Sequence, residues 1–283
     1  MSSGGKDTGR VEGELPADPS PRPGLRSTLP PALLVSASAV PLFALESPWG
    51  YPLLGLGVLA GLLADRRLGR DLALVALGTG VISLHSMRAD LSWGNILVMG
   101  AVLTAAVALP YAISRWVFGD HAIRFPLRRG APWSRLERGW LVAVPLLGWL
   151  VLPSYFIGSG AYRNWPAVQG WSEITRLFLG VNAVGVWDEL FFICTVFALY
   201  RRHFPMRIAN PLQAIVFVSF LWELGYREWG PLLTVPFALV QGWIFSRTKS
   251  LAYVIAVHLL FDLIVFLVLV HAHHREWLQI FWY

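Results

Sequence analysis

Residues 250–270 read SLAYVIAVHLLFDLIVFLVLV, and the only acidic or basic side chains in that run are His258 and Asp262. About 20 consecutive apolar residues are what one helix needs to cross the hydrocarbon core of a bilayer. Working outward from this run, the same pattern recurs at 30–46, 49–64, 71–87, 94–114, 139–157, 177–200, 209–226 and 230–246. The runs are too long and continuous for the alternating pattern of a membrane barrel. The whole chain of 283 residues is 55% hydrophobic and 14% charged, against about 25% charged in soluble domains. A globule of this size cannot hide that much apolar surface, because about 30% of its unfolded surface stays exposed. Composition therefore argues against a soluble enzyme, a disordered chain and a nucleic-acid-binding protein. The expected fold is an all-α polytopic membrane protein, a bundle of about nine transmembrane helices.

The basic residues supply the topology. Only Lys6 and Lys249 are lysines among the 23 basic side chains, and they and the arginines fall in the gaps between apolar runs. With a cytoplasmic N-terminus, the inner segments (the tail, 65–70, 115–138, 201–208 and 247–249) hold 18 of them and the outer segments 5. That asymmetry is the positive-inside signature, and it predicts an N-in/C-out bundle. Residues 1–28, rich in Gly, Pro, Ser and charge, read as a disordered cytoplasmic tail without the apolar core of a signal peptide. The remainder divides into N-terminal transmembrane helices over 29–157 and a catalytic transmembrane unit over 175–270. The compact, arginine-rich chain reads as prokaryotic and multi-pass in the cell inner or plasma membrane. Loop 115–138 is placed against anionic headgroups. Loop 158–176, with Tyr162, Trp165 and Trp171, suits an interfacial belt or a substrate lid. The single cysteine, Cys194, excludes an internal disulfide and a Cys-based zinc cage, and reads as a small buried hydrophobe.

A charged side chain at mid-helix costs at least ~2.5–3.5 kcal/mol on insertion scales, so each one needs a reason. The N-terminal helices are nearly free of them, apart from His85 near a helix end. The C-terminal third holds Asp188 and Glu189 in GVWDELFFIC, Glu223 in FLWELGY, and His258 and Asp262 in AVHLLFD, with Gln241 as a polar sixth. His258 and Asp262 are four apart and share a helix face. An aspartate accepting from one ring nitrogen would fix the histidine tautomer and leave the other nitrogen for chemistry. Asp188 and Glu189 point about 100° apart, so one can address a substrate while the other bonds a neighbouring helix. Five ionisable groups exceed what helix locking needs, since membrane hydrogen bonds contribute only ~0.6 kcal/mol each on average. The set is also chemically suited to zinc or manganese, a metal-dependent alternative to metal-free hydrolysis, although no His-Glu-x-x-His is present. His271, His273 and His274 read as a solvated, interfacial helix end.

The order and spacing of these groups resemble the CAAX-protease and bacteriocin-processing family of intramembrane endopeptidases, also called the abortive-infection domain. That family is marked by Glu-Glu-x-x-x-Arg, then Phe-x-x-x-His, then His-x-x-x-Asn/Asp. WDELFFIC resembles the first motif, with Asp188-Glu189 for the paired glutamates and Ile193 at the arginine position. Glu223 falls where the second motif ends in His, with Ser219 at its Phe position. GWIFSRTKSLAYVIAVHLLFD resembles the third motif, with His258 and Asp262 in register. The resemblance implies general-base hydrolysis. Asp188 or Glu189 would be the base, Glu223 its partner, and His258 with Asp262 the pair that polarises the carbonyl. Neighbouring carboxylates cannot both ionise cheaply, so one would hold a proton for the leaving amine.

The implied partner is a membrane-anchored protein or peptide, with no nucleic acid and no cofactor beyond the zinc alternative. Prenyl processing does not fit a prokaryotic chain. The altered motifs are similar to sorting-type members, the myxosortases, which implies cleavage of C-terminal anchors of surface proteins. A noncatalytic immunity-type binding protein and a proton-coupled transporter are the competing classes. No inverted repeat supports the transporter.

Overall fold

The computed structural model describes residues 24–127 and 132–282. Among these residues there are nine helices and no strand. They are α1 (Leu25–Ala44), α2 (Gly50–Ala64), α3 (Arg66–Ile82), α4 (Trp93–Val117), α5 (Arg135–Gly158), α6 (Trp171–Arg201), α7 (Met206–Leu224), α8 (Pro231–Thr248) and α9 (Leu251–His273). Five of them, α1, α4, α5, α6 and α9, are long and apolar enough to cross a membrane by themselves, and α2 is a shorter apolar helix. The protein is a polytopic membrane bundle.

Local chemistry accounts for the ends. Ser92 accepts from Asn95 N at the start of α4, Ser250 from Tyr253 N at the start of α9, and Ser134 and Glu137 form a reciprocal capping box at α5. Each satisfies backbone donors that a helix start leaves open. The expected gap at 65–70 is absent. Asp65, extended at φ −160°, accepts from Arg67 N and Leu68 N and starts α3 at once. The expected tail also ends sooner, because α1 begins at Leu25; residues 1–23 of that expectation lie outside the described residues. Pro41, Pro110 and Pro153 lie in or beside three π-helical turns, where a missing N–H relaxes the regular ladder. A fourth and longer π-helical stretch, Glu189–Phe197, has no proline and begins directly after Asp188.

The core sits around α6, α7 and α9. α6 and α9 each bury 56% of their most apolar window, whereas α4 buries 17% of its own and lies at the rim. The connecting segments fall into two groups that touch only within themselves in the contacts named here. On one face Arg202 pairs with Asp71 (2.9 Å) and Asp120 (2.6 Å), His203 with Asp71 (2.6 Å), and Leu251 N donates to Pro126 O (2.8 Å). On the other, Arg88 pairs with Glu46, Asn164 donates to Gly225 O (3.2 Å), and His274 meets Val168 O. This is the partition that the alternation of basic residues implies.

The arginines predict which face is cytoplasmic, and thiol labelling tests it. In a Cys194→Ala background, Glu228→Cys and Arg207→Cys put thiols at exposed positions of opposite faces. An impermeant reagent applied outside cells should label position 228 and spare 207. The reverse pattern would invert the topology.

Candidate active site

Three helices bring four ionisable side chains to one place. α6 carries Asp188 and Glu189, α9 carries His258 and Asp262, and α8 contributes Gln241. All five are buried, none more than 4% exposed. α9 can approach α6 this closely because Gly185, one turn before Asp188, has no side chain: a Cβ there would collide with the Asp262 carboxylate.

Glu189 Oε1 is the hub. It accepts from Gln241 Nε2 (2.6 Å) and lies 2.7 Å from His258 Nδ1. Gln241 Nε2 also reaches Val254 O on α9 (3.3 Å), which ties α8 and α9 to α6. With a carboxylate as acceptor, Nδ1 carries the proton, and the Nε2 lone pair is directed to the other side of the ring. On that side lie Asp188 Oδ2 at 3.6 Å and Asp262 Oδ1 at 3.8 Å. Both separations exceed a direct hydrogen bond. Asp188 Oδ1 and Asp262 Oδ2 are buried with no hydrogen-bond partner among the described residues. Phe237 stands edge-on to the imidazole at 4.9 Å between centroids, so one flank of the site is apolar.

Asp188, His258 and Asp262 line a cavity of about 250 Å³ between α4 and α6. Trp165 and Tyr226 also wall it, and Leu103, Val181 and Val184 make much of its lining apolar. Gly100 and Thr104 of α4 and Ala183 of α6 line the cavity and are exposed, so it opens sideways between those helices. Trp187 Nε1 donates to Leu103 O (2.6 Å) and fastens the two helices next to Asp188.

Several expectations change here. Glu189, not Asp262, holds the histidine, because the helix crossing sets Nδ1 against α6 while the i, i+4 partner stays at 3.8 Å. The adjacent acids do divide their work: Asp188 faces the cavity and Glu189 bonds neighbouring helices. Glu223 is not brought to the cluster. Its Oε1 accepts from Met87 N (2.9 Å), which holds the segment between α3 and α4 whose next residues, Ala89 to Leu91, wall the cavity. The residues of α7 that face the cavity are Leu221 and Leu224. Ser219 is spent on Ile215 O (2.7 Å), and Ile193 is fully buried. The 158–176 loop splits: Trp165 is buried in the cavity wall, while Trp171 is 83% exposed. The terminal histidines are not solvated as expected. His271 is buried, His274 meets Val168 O, and the His273 ring packs on Tyr162, so they pin the end of α9 to its surroundings. Gln241 and Gly185 acquire roles that their spacing alone did not assign. Among the described residues no group of three or more His, Cys, Asp or Glu is arranged to hold a metal ion.

Residues 170–264 match the family model described as type II CAAX prenyl endopeptidase Rce1-like. That stretch is similar to the CAAX protease family. It begins at the N-cap of α6 and ends within α9, so it contains Asp188, Glu189, Gln241, His258 and Asp262 together. The match supports a multi-pass membrane protease. No curated protein and no solved structure matches the chain.

The matched stretch also contains Glu223, and substitution separates its two readings. Glu223→Gln keeps an oxygen acceptor for Met87 N, so turnover should stay within a few-fold of the parent. Glu223→Ala should lose about 1–3 kcal/mol of stability through the unmet donor. Loss of turnover in Glu223→Gln at unchanged melting temperature would make it a proton-transfer group after all.

Proposed function

We propose that the chain is an intramembrane endopeptidase that hydrolyses a peptide bond of a membrane-associated substrate with water activated by Asp188 and His258. The observation that carries this reading is the convergence of Asp188, His258 Nε2 and Asp262 in the wall of a cavity that opens sideways. Separations of 3.6 and 3.8 Å suit a water bridging the imidazole and a carboxylate.

In this mechanism Asp188 takes a proton from water as its oxygen attacks the scissile carbonyl carbon. Asp188, His258 and Asp262 share one further proton, since two adjacent carboxylates in a dry site do not both ionise. That proton meets the developing oxyanion from the His258–Asp262 side. It passes to the leaving nitrogen as the C–N bond breaks, so that water is added across the peptide bond overall. Glu189 and Gln241 do not touch the substrate; they hold the imidazole in register.

The substrate suited to this cavity is an apolar peptide segment that reaches it from the bilayer between α4 and α6. In the proposed topology Trp165 and Tyr226, which wall the cavity, belong to connections on the outer face. That placement fits removal of C-terminal anchors from surface proteins in a prokaryotic plasma membrane. Purified protein in liposomes, offered a labelled library of membrane-anchored peptides, tests the reading. Cleavage at a defined bond by the parent and none by Asp188→Asn is the expected result. Binding without cleavage in both would leave a noncatalytic binding protein.

A further inference from the structure

On the arginine-rich face, a polar pocket of about 280 Å³ that shares no lining residue with the candidate active site is lined by Arg67, Arg70, Asp71, Asp120 and Arg202. Its charges are not equivalent. Asp71, 5% exposed, is held by Arg202 and His203, and Asp120 by Arg202 as well. Both carboxylates thus already have partners within the protein. Arg67 and Arg70 are exposed and have no ion-pair partner among the described residues; Arg70 lies over the Phe118 ring at 5.3 Å. Two guanidinium groups therefore line the pocket without a carboxylate partner.

A second cavity lies further along the same helix, α3, and shares no lining residue with this pocket. An apolar groove of about 620 Å³ runs between α2 and α3, lined by Leu54, Val58 and Leu62 on one side and Ala73, Leu77 and Val81 on the other. Leu77 is seven residues beyond Arg70, two helical turns less about 20°, so Arg70 heads the row that forms the groove wall. From Arg70 to Val81 the helix rises ~16 Å, close to the ~15 Å of one hydrocarbon leaflet. Small residues keep the groove open: a Cβ at Gly55 or Gly80 would meet nothing within 4 Å.

We infer that the Arg67–Arg70 pocket and the α2–α3 groove together form a binding site for an anionic phospholipid. The phosphate lies between the two guanidinium groups, and an acyl chain lies along the groove. Charge complementarity selects this occupant. A zwitterionic lipid brings its own cation to a pocket that already holds three arginines, whereas a phosphatidylglycerol headgroup brings only the anion that Arg67 and Arg70 lack. The inference is independent of the proteolytic reading, since none of these residues belongs to the catalytic cluster.

The full chain in nanodiscs tests it, with phosphatidylglycerol titrated against phosphatidylcholine of identical acyl chains and bound lipid counted by native mass spectrometry. Phosphatidylglycerol should be retained in preference. The double variant Arg67→Gln/Arg70→Gln should reduce that preference by roughly 5-fold for each arginine removed, while phosphatidylcholine retention is unchanged. Gly80→Leu, which fills the groove from its open side, should also lower phosphatidylglycerol retention. Equal retention of both lipids by the parent, or an undiminished preference in the double variant, would overturn the site. Soluble glycerol phosphate competing as well as the whole lipid, with Gly80→Leu without effect, would reduce it to a phosphate pocket and overturn the lipid assignment. A change of oligomeric state in Gly80→Leu with lipid retention intact would make the groove a contact between copies instead.

Discussion

Asp188→Asn should abolish substrate cleavage while leaving the protein inserted at its normal level. Asparagine keeps the size of the side chain and its place beside His258, 3.6 Å from Nε2, but it cannot take a proton from water. General-base catalysis contributes typically 10²–10⁴-fold, so turnover should fall by at least about two orders of magnitude. Asp188 is 1% exposed and sits in the cavity wall rather than in a helix-to-helix hydrogen bond, so the melting temperature should hardly move. The measurement is cleavage rate in liposomes beside thermal unfolding of the same sample. Full activity at unchanged protein level would remove Asp188 as the base and the hydrolase reading with it.

Glu189→Ala should strike stability and activity together. Glu189 is fully buried and binds both His258 Nδ1 and Gln241 Nε2, so its loss strands two polar groups in the core. Breaking a buried hydrogen-bonded pair by removing one partner costs about 3–5 kcal/mol. Glu189→Gln retains an oxygen for Nδ1–H and should recover most of the stability but not the turnover, because a neutral amide no longer supports a positive imidazole. Adding His258→Ala to Glu189→Ala should lower activity little further, since the two act as a unit. Asp262→Ala combined with Glu189→Ala should do more harm, as Asp262 meets the other ring nitrogen. Fully additive losses for Glu189 and His258 would show that the glutamate does not work through the histidine.

These two expectations separate what the linear pattern contains from what it lacks. Asp188, His258 and Asp262 are legible as a set because each is a charged group in an apolar run, where insertion is costly unless the group is used. The i, i+4 spacing of His258 and Asp262 also places them on one face without any knowledge of neighbouring helices. Glu223 satisfies the same test and yet faces the segment between α3 and α4. Position along a helix says that a polar residue needs a partner, but not which neighbour supplies it. Gln241 shows the converse, a side chain with no distinguishing spacing that turns out to bind the hub of the site.

The sequence by itself determined the all-helical membrane bundle, the grouping of its loops into two faces, and the acids and histidine that needed a purpose. It could do so because hydropathy over some 20 residues, the siting of arginines and the cost of burying charge are local properties of the chain. Only the tertiary structure decided that Glu189 rather than Asp262 orients His258, that Glu223 stands apart, and that the cavity opens between α4 and α6. Those outcomes depend on how closely and at what rotation helices cross. Here that is set by the absent side chain of Gly185 and by the π-helical stretch starting at Glu189, which shifts the helical register away from 3.6 residues per turn. Neither effect can be read from one helix alone, because each acts through the helix packed against it.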